Sequence, residues 1–373
     1  MKTLQFEPAD RHNRNLFIDF PFKLYKNTPH WVPPFRMDMR KIFKPNYAFY
    51  NYGDAAFFLA KDDNGRVLGR LATANSYRYN DFHKSKTAFF YYFESVDDPL
   101  VAEGLFSKAF EWVKNQGLNH ILGPKGFSVL DGFGLLVEGF DHQPAFSQAY
   151  NPAYYQDLIE AQGFTKVKDI LTGWTDTSSK WPEKILKAAR IIMRRRGIRA
   201  PELRTKAELR ATADDLHRLY NESLAEPAGN PPITDKDMNQ MVSQLLWIAD
   251  PKLIKLIYKE DKPIGWLLAY PDIGAALQRS KGRLLPFGWL QVLLESKRSK
   301  WINLNGVGVI EEYQRLGVTA ILINELYKSV MDSDQYQYAE LLQFREENIN
   351  SLLEASNIDI HFHKKHRLYE RYL

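Results

Sequence analysis

The sequence predicts two mixed α/β domains built on one plan, and three observations lead to this prediction. The chain has 373 residues, which is long for one hydrophobic core and suits two domains of ordinary size. A strand, a polar turn and a second strand occur at 57–72 and again at 253–269. The segment 158–164 is echoed by 352–358, and each is predicted to end a helix and lead into a strand. The two echoes have nearly the same offset, which favours duplication over chance.

Each half is predicted to alternate strands with helices. The first half is predicted to have strands at 57–60, 66–72, 88–94 and 120–122, and a helix at 99–115. The second is predicted to have strands at 253–258, 263–269, 301–309 and 338–344, and helices at 214–222, 235–248 and 320–331. A polar stretch at 175–179 separates the halves, and a basic segment follows it. We therefore predict a first domain at 1–178, a basic linker helix at 179–204 and a second domain at 205–373.

Composition limits the class of protein. Hydrophobic residues make up 45% of the chain, so it can bury real cores, and its many aromatic residues suit cores or an apolar pocket. The net charge of +5 and the pI near 9.0 favour anionic partners, but no Lys/Arg block has the density of a nucleic-acid arm. Nucleic acid is therefore not expected as a partner. The absence of cysteine excludes disulfides, thiolate zinc sites and a Cys nucleophile.

Neither a secretory signal peptide nor a membrane-spanning segment is predicted. The first residues are polar and charged, unlike a signal peptide, and no run of 18 apolar residues occurs. The expected location is the cytoplasm, with the inner membrane surface as an option.

One segment of the second half has the pattern of an anion site. A strand at 303–309 contains Gly306 and Gly308, and glycine inside a strand marks a bulge or the close approach of another backbone. A polar turn follows and opens a helix, whose first amides have no internal partner. Together with the helix dipole these amides attract anions. Gly317 would let a phosphate approach the backbone, and Arg315 could supply charge.

The same segment resembles the acyl-CoA signature of the GNAT superfamily of N-acyltransferases, Gln/Arg-x-x-Gly-x-Gly/Ala. The matching residues are Gln314, Arg315, Leu316, Gly317, Val318 and Thr319. The resemblance implies that this loop binds the pyrophosphate of CoA and that Val307, Gly308 and Val309 face the thioester arm. Thr319 departs from the pattern, because Gly or Ala is usual there. The alternative is a strand–turn–helix corner whose glycines only allow tight packing.

The whole chain resembles a group of tandem GNAT-like bacterial proteins. Four blocks carry this resemblance, namely TPHWVPP at 28–34, GPKGFS at 123–128, YNPAYY at 150–155 and GRLLPFGW at 282–289. It implies two GNAT-like folds in tandem, with mixed sheets flanked by helices, and acetyl-CoA or a longer acyl-CoA as cosubstrate without a metal. Some members of the group are associated with N-acylation of sphingoid bases, which suggests a lipophilic amine acceptor.

The acid–base residues are less well defined. N-acyl transfer needs a base for the amine and a proton for the leaving thiolate. The resemblance implies a carboxylate near the bulged strand and a tyrosine before the last helix ends, but Leu353 and Ile159 stand at the tyrosine positions. The remaining catalytic candidates are Tyr369, Glu347, Glu94 and Asp131, with Asn348 beside CoA and Tyr150 and Asn151 for the acceptor. Each carboxylate has a plainer alternative as a solvated or helix-capping residue, as Asp97 or Asp98 before Pro99 illustrates.

The first half lacks the acyl-CoA signature at the matching point. The acidic stretch 96–100 stands there and would repel a pyrophosphate. We therefore predict a degenerate copy that helps to form the acceptor pocket and does not bind CoA.

Two further features have competing interpretations. His361 and His363 would share one face of a strand, yet adjacent lysines favour a basic strand over a metal site. The basic amphipathic stretch 184–196 and the apolar stretch 284–294, with Phe287 and Trp289, suit either core elements or contact with a membrane surface.

The predicted function is transfer of an acyl group from CoA to an amine, with a sphingoid-type base as the favoured acceptor. Two rivals remain open. One is an aminoacyl-tRNA-dependent transferase, as other tandem GNAT-like enzymes are. The other is a non-catalytic module that binds CoA or a lipid.

Overall fold

The structure is a computed structural model that describes residues 1–127, 131–176, 183–225, 229–348 and 359–373. The chain forms two compact units. Unit 1 comprises Met1–Leu171, Gly274–Trp289 and His363–Leu373, and unit 2 comprises Thr172–Ile273 and Leu290–Phe362. The predicted limits of the domains and of the linker helix stay predictions.

The elements of the first part of the chain follow in order. They are β1 (Lys2–Phe6), α1 (Arg11–Leu24), α2 (Arg36–Lys41), β2 (Gly53–Lys61), β3 (Val67–Ser76), α3 (Tyr77–His83), β4 (Thr87–Ser95), α4 (Pro99–Asn115), β5 (His120–Gly123), β6 (Leu135–Glu138), α5 (Tyr155–Glu160) and β7 (Thr165–Asp176). Helix α4 begins and ends where the sequence predicts. Asp98 is its N-cap and accepts from the amide of Leu100, which confirms the capping role.

The second part continues the order. It contains α6 (Glu183–Arg196), β8 (Ile198–Arg199), α7 (Lys206–Ala211), α8 (Ala213–Tyr220), α9 (Asp235–Ile248), β9 (Lys255–Lys259), β10 (Lys262–Pro271), α10 (Gly274–Ser280), α11 (Gly288–Ser296), β11 (Trp301–Val309), α12 (Val318–Ser333), β12 (Tyr338–Arg345) and β13 (His361–Tyr372). The limits of α9 and β11 match the prediction. Segment 352–358, the second half of one predicted echo, lies outside the described residues, as does Leu353.

Unit 1 is a mixed sheet with helices on both faces. Its strands follow the order β1-β2-β3-β4-β5-β13, and β6 also pairs with β13. Successive residues of a strand point to opposite faces, so Phe57 packs in the core beside α1 and α2, while Phe58 packs in the core beside α4 and α5. Both side chains are fully buried. A strand buried on both faces explains the continuous apolar run of β2.

Unit 2 repeats the plan of unit 1 in its central elements. Its strands follow the order β12-β11-β10-β9-β8. In each unit an antiparallel pair, β2–β3 or β9–β10, is followed by a bulged strand, a helix and a parallel strand. In β4, Tyr92 and Phe93 form a bulge opposite Leu71, because the neighbouring pairs are Arg70 with Glu94 and Ala72 with Tyr91. In β11, Asn305 and Gly306 form a bulge opposite a single residue of β10. The two bulges therefore occupy matching places in the two units.

Candidate active site

The loop before α12 presents backbone amides at the start of that helix. Gly317 is the N-cap residue with φ of 81°, and no side chain caps the helix. Arg315 also has a positive φ, of 60°. The first amides of a helix have no intrahelical acceptor, and the helix dipole places partial positive charge beside them. The loop and the helix start therefore have the geometry in which proteins bind phosphate groups.

The predicted pyrophosphate residues lie together in this loop. Gln314, Arg315 and Thr319 are exposed, whereas Val318 is buried and anchors the first turn of α12. The Gln314 side chain donates from Nε2 to the carbonyl oxygen of Val309, at 3.1 Å, and so ties the loop to the end of β11. The half-buried Leu316 completes the turn, with its amide donating to the carbonyl of Tyr313. Thr319 thus carries an exposed side chain with a hydroxyl group at the position where the signature usually has Gly or Ala.

Helix α6 bears directly on Gly317. Ile192, on that helix, reaches the glycine so closely that a methyl group at position 317 would collide with its Cδ1 atom. The left-handed φ of Gly317 would strain any side chain as well. Gly317 is therefore needed for local packing, and its sequence signal does not by itself establish phosphate binding.

The glycines of β11 have a similar explanation on one side of the strand. A methyl group at Gly306 would lie 2.8 Å from the ring of Trp266, and one at Gly308 would collide with Trp266 Nε1 and Ser223 Oγ. Trp266 Nε1 donates to Ser223 Oγ at 3.0 Å. The bulge predicted from these glycines is present, but the atoms closest to them belong to the side chains of Trp266 and Ser223 and not to another backbone. Val307 and Val309 pair only with β10 among the described strands.

Strands β11 and β12 separate where the predicted thioester arm would lie. Their parallel pairing runs from Trp301 with Tyr338 to Leu304 with Leu341, and it stops before the bulge. At this point the side chain of Gln343 donates to Asn305 Oδ1, at 2.9 Å. Beyond Leu304 and Leu341 the two strands therefore no longer pair as a parallel ladder.

Glu347 and Asn348 follow β12 in an exposed turn. The amide of Asn348 donates to the carbonyl of Arg345, at 3.0 Å. Neither side chain is buried, so their predicted catalytic and CoA-binding roles rest on sequence position alone.

In unit 1 the corresponding gap between strands is filled by the chain. Pairing of β4 with β5 stops at Phe89 with Leu122. The carbonyl of Phe90, the next residue of β4, then accepts from the amide of Lys125, at 2.9 Å. The Asp98 carboxylate caps the following helix and adds negative charge there. The carboxylate of Asp98 opposes an anionic ligand at this helix start. That the first half is a degenerate copy without CoA stays a prediction.

Glu94 lies in a cluster of tyrosines in unit 1. Its Oε2 atom accepts hydrogen bonds from Tyr25 and from Tyr155, the latter at 3.0 Å. The two tyrosine hydroxyls are 3.4 Å apart, and Tyr155 also accepts from the amide of Ser95, at 2.8 Å. Arg70 stands opposite Glu94 in the β3–β4 register and approaches Oε1 to 3.6 Å. The cluster therefore joins an acid, a cation and two phenols.

Burial governs the protonation of this cluster. It raises the pKa of Glu94 above its usual range, although Arg70 and the two tyrosine hydroxyls oppose the shift. Burial and the nearby Glu94 also raise the pKa values of Tyr25 and Tyr155 well above that of a free phenol. The side chain of Glu94 remains 14% exposed, whereas Arg70 is 3% exposed. Glu94 is therefore a carboxylate with a raised pKa whose side chain keeps some access to solvent.

Asp131 lies near two other tyrosines, Tyr91 and Tyr92 of β4. Burial raises the pKa of Tyr91 most strongly. The negative charge of Asp131 raises it further, and that of Glu94 has a smaller effect in the same direction. The same two leading causes raise the pKa of Tyr92. The structure thus brings Glu94 and Asp131, two predicted catalytic carboxylates, close to one tyrosine of the bulged strand.

The other predicted residues of unit 1 have partners within the fold. Tyr369 is fully buried, and its hydroxyl donates to Glu160 Oε1 at 2.8 Å. Asn151 accepts from the amide of Leu136 at 2.8 Å and donates to its carbonyl at 3.1 Å, so its side chain pairs with β6 as a strand would. Tyr150 donates to the carbonyl of Phe140. Their catalytic and substrate-binding roles stay predictions.

Three residues of the Glu94 cluster were not singled out from the sequence. Tyr25 follows α1, Arg70 lies within β3, and Tyr155 begins α5. The sequence does mark Arg70 and Glu94, because each is a charged residue inside an otherwise apolar strand. Nothing in the sequence links the two tyrosines, because only the tertiary fold brings their hydroxyls together.

The two histidines of the predicted basic strand make separate contacts. His361 lies against Trp174, with ring centroids 5.2 Å apart, and His363 lies against His142, at 4.8 Å. The described residues contain no group of three or more His, Asp or Glu side chains that could hold a metal ion. None of the described helices has both the length and the apolar character that a bilayer crossing requires.

Comparison with known proteins places the fold. No family model matches the chain. The chain is 27% identical over 373 residues to protein YghO of Escherichia coli strain K12, which covers 97% of this chain and 93% of that protein. It is 26% identical over 369 residues to a protein of Caulobacter vibrioides described as a bacterial ceramide synthase, covering 96% of this chain and 94% of that protein.

A solved structure shows the same architecture. A tandem GNAT protein from the clavulanic acid biosynthesis pathway superposes with a TM-score of 0.59 at 10% identity, covering 100% of this chain and 98% of that protein. The chain therefore has the fold of two GNAT domains in tandem, which confirms the resemblance and the fold class predicted from the sequence.

Proposed function

We propose that this protein is an acyl-CoA-dependent N-acyltransferase. The observation that carries the proposal is the loop of unit 2, which follows a bulged strand and leads to a helix that begins at an uncapped glycine. Backbone amides that no side chain caps suit the pyrophosphate of CoA. Arg315 adds an exposed cation beside them. The separation of β11 from β12 leaves one edge of β11 available for the pantetheine arm.

The reaction requires one bond to form and one to break. The acceptor amine attacks the thioester carbonyl, the carbon–nitrogen bond forms, and the carbon–sulfur bond breaks to release the CoA thiolate. The amine loses a proton to a base, and the thiolate takes one up. We propose Glu94 as the base, because its raised pKa brings it closer to that of a general base working near neutral pH. Asp131, Glu347 and Tyr369 remain alternatives for proton transfer.

We propose a lipophilic amine, such as a sphingoid-type base, as the acceptor. The description of the Caulobacter relative as a bacterial ceramide synthase supports this choice, since that name implies N-acylation of a long-chain amine. Glu94 and its tyrosines could bind an ammonium group before it is deprotonated, through the carboxylate and the phenol oxygens.

The donor site is tested by titrating CoA into Thr319→Glu and Thr319→Gln. Position 319 is exposed in the first turn of α12, where a carboxylate stabilises a helix by about 0.3–1 kcal/mol, so both variants should fold. Glutamate places a negative charge beside the amides proposed to bind pyrophosphate. We expect the glutamate variant to bind CoA at least tenfold more weakly than the wild type, and the isosteric glutamine variant to retain most of the affinity.

The outcomes separate the alternatives. Equal CoA affinity in the two variants, or no CoA binding by the wild type, would remove the donor assignment. CoA binding without release of free thiol in the presence of amines would favour a non-catalytic module. Binding of aminoacyl-tRNA in place of CoA would favour the tRNA-dependent rival.

A further inference from the structure

An exposed apolar surface lies on the chain between 284 and 296, and the proposed reaction does not use it. Six large apolar side chains of this stretch are exposed, namely Leu285 (73%), Phe287 (71%), Trp289 (45%), Leu290 (40%), Leu293 (42%) and Leu294 (40%). We call these six residues the apolar patch. Isolated apolar side chains are common on protein surfaces, but a contiguous set marks a binding surface.

The geometry of α11 makes the patch continuous. Gly288 and Val292 are buried, four residues apart, and so define the inward side of the helix. Trp289 and Leu293 follow them by one position and share the outward side, together with Leu290 and Leu294. Leu285 and Phe287 lie on the turn that enters the helix. The indole of Trp289 donates to the carbonyl of Pro286, at 3.0 Å, and thereby fixes the turn to the helix.

Basic residues flank the patch on both sides in sequence. Lys281 and Arg283 precede it, and Lys297, Arg298 and Lys300 follow it, and all five are exposed. Long basic side chains beside an apolar helix face can reach phosphate groups while the apolar side chains enter the acyl region. Basic residues close to an anionic membrane surface strengthen binding to it, and salt screens their contribution.

We propose that the apolar patch docks this protein on an anionic lipid bilayer. A second copy of the chain is the less favourable occupant, because a two-fold contact through the patch would bring the same five cations of each copy together. An anionic lipid surface satisfies both the apolar side chains and the cations. The inference goes beyond the proposed acyl transfer, because it holds whatever reaction the protein catalyses.

The test is co-sedimentation with vesicles of phosphatidylcholine alone or mixed equally with phosphatidylglycerol. Neither CoA nor a sphingoid base is present, so the result does not depend on the proposed reaction. We expect the wild type to bind the mixed vesicles, to bind them more weakly as salt rises, and to bind phosphatidylcholine poorly. Phe287→Ser combined with Leu293→Ser should weaken binding at least tenfold, and it leaves the hydrogen bond of Trp289 in place.

Matched controls come from exposed apolar residues elsewhere. Leu100 is 65% exposed on α4 and Trp247 is 51% exposed on α9, so Leu100→Ser combined with Trp247→Ser removes similar surface without touching the patch. This control should bind vesicles as the wild type does, and both double variants should keep the wild-type melting temperature. Release of thiol with a water-soluble amine should be unchanged in the patch variant.

Three results would overturn the docking proposal. The first is failure of the wild type to bind anionic vesicles. The second is equal loss of binding in the control and the patch variant. The third is a wild type that does not bind vesicles but forms a concentration-dependent dimer in analytical ultracentrifugation. If the patch substitutions abolish that dimer, the surface binds a second copy of the chain.

Discussion

Glu94 illustrates how much the surroundings of one side chain decide its chemistry. As an isolated residue at the end of a strand it has the properties of any surface carboxylate. In the fold it accepts two phenol hydrogen bonds, stands opposite Arg70 and is largely removed from water. Removal from water disfavours the charged form, and this effect exceeds the opposing hydrogen bonds and the charge of Arg70.

At this scale we predict that Glu94→Gln lowers kcat by about two to four orders of magnitude, as loss of a general base does. Because the pKa of Glu94 is raised, the acid limb of the wild-type pH profile should have its midpoint above that of an ordinary glutamate. Activity should rise as Glu94 loses its proton, and the glutamine variant should lack this limb. Measuring kcat/KM against pH for both proteins checks the prediction.

The control for Glu94→Gln is CoA binding. Glutamine keeps an acceptor for Tyr25 and Tyr155, so the variant should fold and should bind CoA as the wild type does. A glutamine variant with the wild-type rate and pH profile would assign the base elsewhere, with Asp131 as the next candidate because it also lies near Tyr91.

The C-terminal strand shows what one ion pair does for an element. Arg367 on β13 donates from Nε and Nη2 to the two oxygens of Asp169 on β7, at 2.8 and 3.0 Å. Burial raises the pKa of Asp169, but hydrogen bonds from Arg367 and Lys166 outweigh burial and hold the pKa below its usual range. A bidentate pair of this kind fixes both distance and orientation.

We predict that Asp169→Asn lowers the free energy of unfolding by about 3 kcal/mol at neutral pH, because it leaves Arg367 without its charge partner. A lowered pKa stabilises the fold fully above the unfolded-state pKa, and this contribution is lost as the pH falls through the folded-state pKa. The difference between wild type and variant should therefore shrink towards pH 3. Urea unfolding at several pH values measures it.

A matched control lies on the same strand. Glu138 pairs with Lys365 on β13, but its side chain is 63% exposed. Glu138→Gln should change the unfolding free energy by less than about 1 kcal/mol, as exposed pairs do. A loss as large as that of Asp169→Asn would show that the strand responds equally to the loss of a buried and of an exposed charge.

Across the whole molecule, unit 1 is assembled from separate segments of the chain. Its last segment, His363–Leu373, supplies Tyr369 and Leu368 to the two cores of the unit, and Tyr369 pairs with Gly123 on β5. The predicted first domain, 1–178, does not contain this strand. Without it, one edge of β5 and a gap in both cores would meet water.

We predict that a fragment of residues 1–178 shows no cooperative thermal transition. Joining residues 359–373 to its end through a short glycine–serine linker should restore one, because β13 then pairs again with β5 and Arg367 with Asp169. Circular dichroism at rising temperature compares the two fragments. A cooperative transition in the shorter fragment would support the predicted domain limit over the segmented unit.

The sequence alone predicted the local structure well. The limits of α4, α9 and β11, the strand pairs with their polar turns, and the cap at Asp98 all follow from patterns of a few neighbouring residues. Local patterns succeed because hydrophobic period, turn residues and caps act over one or two turns of chain. The loop before α12, proposed here as the donor site, was predicted for the same reason.

Tertiary structure decided the features that depend on distant contacts. The apolar stretch 284–294 gave no sign in sequence of whether it is core or surface, and only the burial of Gly288 and Val292 shows which face is exposed. Gly317 and Gly308 look like ligand-binding glycines, yet Ile192 and Trp266 occupy the space beside them. The Glu94 cluster brings together Tyr25 and Tyr155, which are 130 residues apart in the chain, with Arg70 and Glu94. Hydrophobic periodicity cannot predict such contacts, because the tertiary fold sets the distances between side chains that lie far apart in the chain.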